Sequence, residues 1–152
     1  MSIRPAQESD FDIVQYITHR TISEIYPHYY PTGAVAFFLH HHNEEHIKSD
    51  LANRRVFLCL DAGQRAVGTV TVKSNEICRL FVLPPCQGKG YGTELLAFAE
   101  TEIAKQYSEI VLAASFPAKS IYLKRGYEAV SFHTIKTEHN DYLCYDLMRK
   151  QL

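Results

Sequence analysis

The sequence carries almost no net charge: 16 Lys and Arg against 17 Asp and Glu leave -1 with histidine neutral. That balance excludes a broad attraction to nucleic acid or to an anionic membrane, while a local basic patch stays compatible with it. Cysteine is scarce too. The four present, Cys59, Cys78, Cys86 and Cys144, form no C-x-x-C pair. Three lie in or beside apolar strand-like runs, so the expectation is buried thiols in a reducing compartment. No apolar run approaches the length that spans a bilayer. The opening "MSIRPAQESD" has neither the basic flank nor the apolar core of a secretion signal. A cytoplasmic protein is expected. There is no long linker, repeat or low-complexity tract, and 152 residues, 46% apolar and 22% charged, amount to one globular domain spanning 1–152.

What is present reads as alternating helices and strands. Ser2 to Pro5 suits a short strand. "ESDFDIVQYITHRTISEIY" sets Phe11, Val14, Ile17, Ile22 and Ile25 at helical steps, with Ser9 as the expected N-cap and the prolines of "YPHYYPTG" ending the run. A second helix is expected from about Gly33 to Leu51, apolar first and His-rich later. "RVFLCLD", "AGQR" and "AVGTVTVK" read as a hairpin, and "EICRLFVL" as a further strand. "GTELLAFAETEIAKQY" carries Leu95, Leu96, Ala99 and Ile103 on one helical stripe. "EIVLAA" is a short buried strand, "AKSIYLKRGY" a short helix closed by Gly126, and "EAVSFHTIK" and "DYLCYDLMRK" pair across "TEHND". The fold class is α+β, with a mixed sheet.

Between a strand and a helix stands "PPCQGKGYG", Pro84 to Gly92. A Gly-rich turn that opens a helix gathers unpaired backbone N–H groups where the helix dipole favours negative charge, so a phosphate suits it. The glycines let that phosphate reach the backbone. The Walker string G-x-x-x-x-G-K-[ST] is absent, and Gly88, Gly90 and Gly92 give G-x-G-x-G rather than the dinucleotide G-x-G-x-x-G. By themselves the glycines also fit a flexible surface turn. Pro84 and Pro85 end the strand, because neither can continue a ladder.

"RLFVLPPCQGKGYGTELLAFAE" resembles the cofactor-binding motif of the GNAT superfamily of N-acetyltransferases, [QR]-x-x-G-x-[GA] after a strand, with Gln87, Gly90 and Gly92 in the signature places. "SFPAKSIYLKRGYEAV" resembles the family's second motif, N-x-x-A-x-x-[FL]-Y-x-K-x-G-[FY]: Ala118, Tyr122, Lys124, Gly126 and Tyr127 match, while Ser115 and Ile121 depart from it. The resemblance implies the GNAT acyl-CoA N-acyltransferase fold, a mixed central sheet flanked by helices. It implies acetyl-CoA as co-substrate and no metal. The pyrophosphate would lie on the amides of Gln87, Gly88, Lys89, Gly90, Tyr91, Gly92 and Thr93, and the pantetheine arm along Leu80, Phe81 and Val82. Ser115 replaces the customary Asn at the cofactor.

The activity so implied is transfer of an acetyl group from acetyl-CoA to a primary amine, by direct attack in a ternary complex. That chemistry needs a base for the amine, donors for the oxyanion and an acid for the leaving thiolate. Tyr122 takes the place of the family's acid, and an N–H near Phe81 or Val82 that of the oxyanion donor. Glu76, eleven residues before Gln87, has the spacing of the catalytic glutamate in the histone-acetylating branch; it is the candidate base, with ordered water as the alternative. Tyr26, Tyr29, Tyr30 and His133 are candidate acceptor contacts, with His28, Glu138 and His139 nearby. The acceptor is a small-molecule amine or a protein N-terminus, and a homodimer fits the family.

Two other readings stay open. One is a domain that binds or senses acyl-CoA without turnover. The other starts from "HHHNEEH": His42, Glu45 and His46 satisfy H-x-x-E-H, and on one helix His42 and His46 would share a face and hold zinc with Glu45 as base. The polar sequence there reads more simply as a solvated helix end.

Overall fold

A computed structural model describes every residue from Met1 to Leu152. In chain order the elements are β1 (Ser2–Pro5), α1 (Phe11–Ile25), α2 (Thr32–His41), α3 (Glu44–Ala52), β2 (Val56–Leu60), β3 (Ala66–Lys73), β4 (Glu76–Val82), α4 (Tyr91–Ala104), β5 (Glu109–Ala114), α5 (Phe116–Lys124), β6 (Glu128–Lys136) and β7 (Tyr142–Gln151). The strands form one mixed sheet ordered β1-β2-β3-β4-β5-β7-β6. Every neighbouring pair is antiparallel except β4 and β5.

Apolar side chains fill both sides of this sheet. Leu95, Leu96, Ala99 and Ile103 of α4 are buried with Val70, Ile77, Val82, Ile110, Leu112 and Met148. Val14, Ile17 and Ile22 of α1, with Ile47 and Leu51 of α3, are buried on Leu58, Phe81 and Leu143. Each fully buried Leu or Ile contributes about 2 kcal/mol. The helix α4 seats closely because β3 offers Gly68 beneath it. A Cβ there would meet Leu95 Cδ1 at 2.8 Å and the Phe81 carbonyl at 3.1 Å.

Three sequence expectations are corrected by local geometry. The expected helix from Gly33 to Leu51 is two helices, broken at His42 and Asn43. The Asn43 side chain accepts the His46 N–H at 2.9 Å and so starts α3 afresh. At the first helix, Ser9 lies inside a 3-10 turn, and α1 begins one residue later, after Asp10, whose carboxylate takes the Gln7 N–H and both arms of Arg4. Of the cysteines only Cys59 is buried; Cys78, Cys86 and Cys144 are half-buried, and all four are free thiols.

The sheet is irregular on both sides of β4. Opposite β3, Arg79 faces Thr71 and Ile77 faces Val72, so Cys78 has no partner and β4 bulges there. On its other side β4 meets β5 at only two positions, Glu76 with Val111 and Ile77 with Leu112. Beyond Ile77 the two strands part, leaving a slot in the middle of the sheet.

Candidate active site

The mouth of that slot is the glycine loop. Gly88 and Gly90 have φ of 73° and 88°, the left-handed region where glycine alone is unstrained. A side chain there would meet nothing within 4 Å, so the backbone turn, not crowding, demands glycine. The first intrahelical bond of α4 runs from Glu94 N–H to the Gly90 carbonyl. The N–H groups of Gly88, Lys89, Gly90, Tyr91, Gly92 and Thr93 therefore have no acceptor in the protein. Six consecutive donors at a helix N-terminus make a cradle for a polyanion. The Gln87 side chain points inward instead: its Nε2 donates to the Val82 carbonyl at 3.0 Å. The Thr21 hydroxyl of α1 donates to that same oxygen at 3.2 Å, shared with a shorter bond to Ile17.

Backbone alternation decides what faces the slot. Leu83 N–H bonds the Val67 carbonyl, so in this antiparallel pair Phe81 and Arg79 also spend their backbone groups on β3. Leu80 and Val82 turn theirs the other way, toward the gap where β5 has departed. Of the two residues named as oxyanion-donor candidates, Val82 thus presents its N–H to the slot. Phe81 contributes a side chain, packed on Tyr26 at 6.2 Å between ring centroids.

At the far wall, β5 ends at Ala114 and Ser115 opens α5. Ser115 is buried at the N-cap and makes no capping bond with its side chain. Phe116 N–H donates to the Tyr30 hydroxyl at 2.7 Å, and that hydroxyl donates to the Cys144 carbonyl at 3.4 Å. Tyr30 thereby ties the α1–α2 connection to α5 and β7, with its ring stacked on Phe116 at 5.0 Å. Tyr26 packs against Tyr30 and Phe38. Burial pushes the Tyr26 hydroxyl up to about 12, with the Ser115 hydroxyl opposing. Burial likewise raises Tyr30 to about 12, with the Phe116 N–H opposing. Tyr122, on the second turn of α5, is buried and lies edge-on to Tyr127 at 5.6 Å. Burial, then the nearby Tyr26, pushes its hydroxyl well above the ordinary tyrosine value. That hydroxyl has no partner in the protein, yet is not among the fully sealed orphan atoms, which are Thr18 Oγ1, Arg125 Nε and Tyr127 OH.

The remaining candidates lie apart. Glu76 is exposed at the closed end of the slot, opposite Lys73 and Val111, roughly 15 Å of strand from Phe81. Tyr29 is exposed beside the buried Tyr30. His133 is on the edge strand β6, stacked on Tyr145 at 5.1 Å and bonded to Ser131 at 2.7 Å.

The His-rich stretch is not a zinc site. His42 ends α2 and His46 lies in α3, so no shared helix face joins them. No group of three His, Cys, Asp or Glu stands close enough to hold a metal. His42 is buried rather than solvated: its Nδ1 accepts from Arg79 Nε at 3.3 Å, and its ring meets Phe81 edge-on at 5.6 Å. Arg79 also donates to Thr71 at 2.9 Å and to Asp50 at 3.2 Å, both buried. Lys73 reaches Asp50 at 2.9 Å as well. This network ties β4 to α3 beside the bulge. The sequence holds one signal for it, a lone arginine inside the apolar run "EICRLFVL".

The family model described as the acetyltransferase (GNAT) domain matches residues 25–147, and the chain belongs to that family. Among solved structures, the chain is similar to a GCN5-related N-acetyltransferase from Rhodopseudomonas palustris, at a TM-score of 0.89 and 22% identity over 99% of this chain and 95% of that one. The PaiA N-acetyltransferase of Thermoplasma acidophilum, solved with coenzyme A, gives 0.75 and 18% over 99% and 98%. A ribosomal-protein-alanine N-acetyltransferase from Brucella melitensis gives 0.72 and 20%, with both chains covered in full. No protein of curated function matches the sequence. The parted strands, the bulge and the glycine loop are thus the GNAT fold, and the acetyl-CoA-dependent acetyltransferases are its class.

Proposed function

We propose that this protein moves the acetyl group of acetyl-CoA onto the primary amine of a small molecule or of a protein N-terminus. The observation that carries the reading is the run of six free N–H groups from Gly88 to Thr93 at the mouth of the slot. Acetyl-CoA supplies a pyrophosphate for that cradle, an extended arm for the slot and a thioester to be cleaved. Backbone groups of Leu80 and Val82 bind the arm as a neighbouring strand would. Ser115, across the slot, offers its hydroxyl. The Val82 N–H serves the oxyanion as the amine nitrogen forms its bond to the acetyl carbon and the carbon–sulfur bond breaks. The Tyr122 proton goes to the departing sulfur. The amine's own proton leaves to ordered water, since Glu76 stands at the closed end of the slot, too far along β4 from Val82 to take it directly. Tyr26, Tyr29 and Tyr30, in the α1–α2 connection, and His133, on β6, border the acceptor side. Four free thiols fit work in a reducing cytoplasm.

The test is calorimetric titration of the metal-free protein with acetyl-CoA, beside a Gly90→Glu variant. That substitution strains a φ of 88° and puts a carboxylate at the cradle. Binding by the native chain that falls more than about a hundredfold in the variant supports the cradle, and thiol release on an amine panel then finds the acceptor. A folded native chain without binding overturns the proposal. Binding without turnover on any amine favours the sensing reading instead, which the unpartnered Tyr122 hydroxyl argues against.

A further inference from the structure

The Tyr122 hydroxyl makes no hydrogen bond within the protein, so no polar contact of its own fixes where its proton points. The ring is placed instead by what it packs against. Tyr127 meets it edge-on, with 5.6 Å between centroids and 62° between planes. This contact is built into the end of α5. Tyr127 N–H bonds the Tyr122 carbonyl at 3.1 Å, and Gly126 N–H bonds the Leu123 carbonyl at 3.1 Å. Those two bonds are the Schellman ending of a helix, which brings the residue after the turn back onto the last helical turn. Here the two residues so joined are both tyrosines.

Tyr127 is held from its other sides by charge. It is 2% exposed, and its hydroxyl is sealed from solvent with no hydrogen bond. Burial first, then the negative charge of Glu100, raises that hydroxyl's pKa. Lys150 Nζ of β7 lies 5.6 Å from the centre of the Tyr127 ring. The same Nζ donates to Glu100 at 3.1 Å, and Arg125 donates to the other oxygen of Glu100. An ion-paired carboxylate costs desolvation that an apolar residue would avoid, and what it gives in return is one fixed arrangement. Glu100 belongs to α4, ten residues beyond Gly90, or about 15 Å along the helix. The phosphate cradle and the anchor of the tyrosine pair therefore ride on one rigid element.

We propose that Tyr127 is a positioning residue for acetyl transfer. Its ring, held by Lys150 and Glu100, fixes the Tyr122 ring so that the phenolic proton stands at the thioester sulfur of an acetyl-CoA seated on the same helix. This rests on the reading of Tyr122 as the acid. The proton passes from the Tyr122 oxygen to the sulfur as the carbon–sulfur bond breaks, and Tyr127 itself gains and loses nothing.

Two variants separate ring from hydroxyl: Tyr127→Phe keeps the edge contact and Tyr127→Leu removes it. In a chain labelled with 13Cζ-tyrosine, the Tyr122 resonance is the one lost in Tyr122→Phe. Tyr127→Leu lets water reach Tyr122, so that resonance should titrate about one pH unit or more below its native midpoint; Tyr127→Phe should leave it in place. With the amine that thiol release identifies, Tyr127→Leu should lower kcat about tenfold at unchanged acetyl-CoA affinity, and Tyr127→Phe should keep kcat within about twofold. Built on Tyr122→Phe, Tyr127→Leu should lower kcat no further. Circular dichroism over the same pH range confirms that each variant is folded. A Tyr122 resonance unmoved by Tyr127→Leu overturns the proposal before any acceptor is known. So does a loss of kcat as large without the Tyr122 hydroxyl as with it, which marks Tyr127 as packing alone. Tyr122→Phe at native kcat overturns the acid reading itself, a result distinct from both.

Discussion

The side-chain amide of Gln87 donates from Nε2 to the carbonyl of Val82, 3.0 Å away, so the loop that leaves β4 is fastened back onto the strand's last residue. The same oxygen takes the Thr21 hydroxyl from α1 at 3.2 Å. Gln87 brings no free N–H to the cradle expected of it, since its own bonds the Pro84 carbonyl at 3.2 Å; its side chain sets the loop instead. Gln87→Ala removes one neutral hydrogen bond of about 1 kcal/mol and should weaken acetyl-CoA binding about fivefold. Gln87→Glu sets a carboxylate against a carbonyl oxygen beside a phosphate cradle and should weaken it far more. Equal binding by all three proteins, measured by calorimetry, would refute this role.

Tyr122 keeps its proton because burial and Tyr26 raise its pKa. A raised value leaves the acid form intact through the whole working range. Tyr122→Phe should lower kcat about a hundredfold with little change in acetyl-CoA affinity. Any alkaline fall of kcat below pH ~10 should have the same midpoint in both proteins. An unaltered kcat removes Tyr122 from the acid role.

His42 makes stability depend on pH in a known direction. Burial first, then Arg79, lowers its pKa to about 2, whereas in the unfolded chain it titrates near 6.5. Below pH ~6.5 the unfolded chain therefore binds a proton that the folded one refuses. Stability should be unaffected by this group above that pH, and should fall by about 1.4 kcal/mol per unit below it. His42→Gln keeps an acceptor for Arg79 and should remove that part of the slope. Urea unfolding at a series of pH values checks it, and parallel curves for the two proteins would refute it.

Asp50 is the counter-charge of a buried arginine. Asp50→Ala leaves Arg79 unpaired in the interior and should cost roughly 3–5 kcal/mol. Adding Arg79→Leu should restore part of that loss, since the stranded charge is then gone. A double variant no more stable than Asp50→Ala would show that the network contributes nothing through its charges.

The order of elements is legible in the sequence because it is written in local pattern. The stripe of Leu95, Leu96, Ala99 and Ile103, the two hairpins and the strand–glycine–helix passage at Gln87 each lie within one stretch of chain. What escapes depends on contacts far apart in sequence. His42 reads as solvated because its neighbours are polar, yet Arg79, 37 residues on, draws it into the interior. The break between α2 and α3 hides in an unbroken helical composition, since a single capping bond from Asn43 decides it. Residue type alone makes Tyr26 and Tyr30 candidates for acceptor contacts. That Tyr30 fastens the start of α5 at Phe116, 86 residues away, emerges only from the assembled fold.

The two rungs at Glu76–Val111 and Ile77–Leu112 are all the strand pairing that joins the β1–β4 half of the sheet to the β5–β7 half. The rest of that seam is held by side chains, among them Glu100 of α4 gripping Arg125 and, at 3.1 Å, Lys150. A molecule lying along Leu80 and Val82 would act as a splint, adding cross-links that the chain itself does not make. The halves would then gain rigidity when loaded and regain play on release, with Ile77 and Leu112 as the pivot.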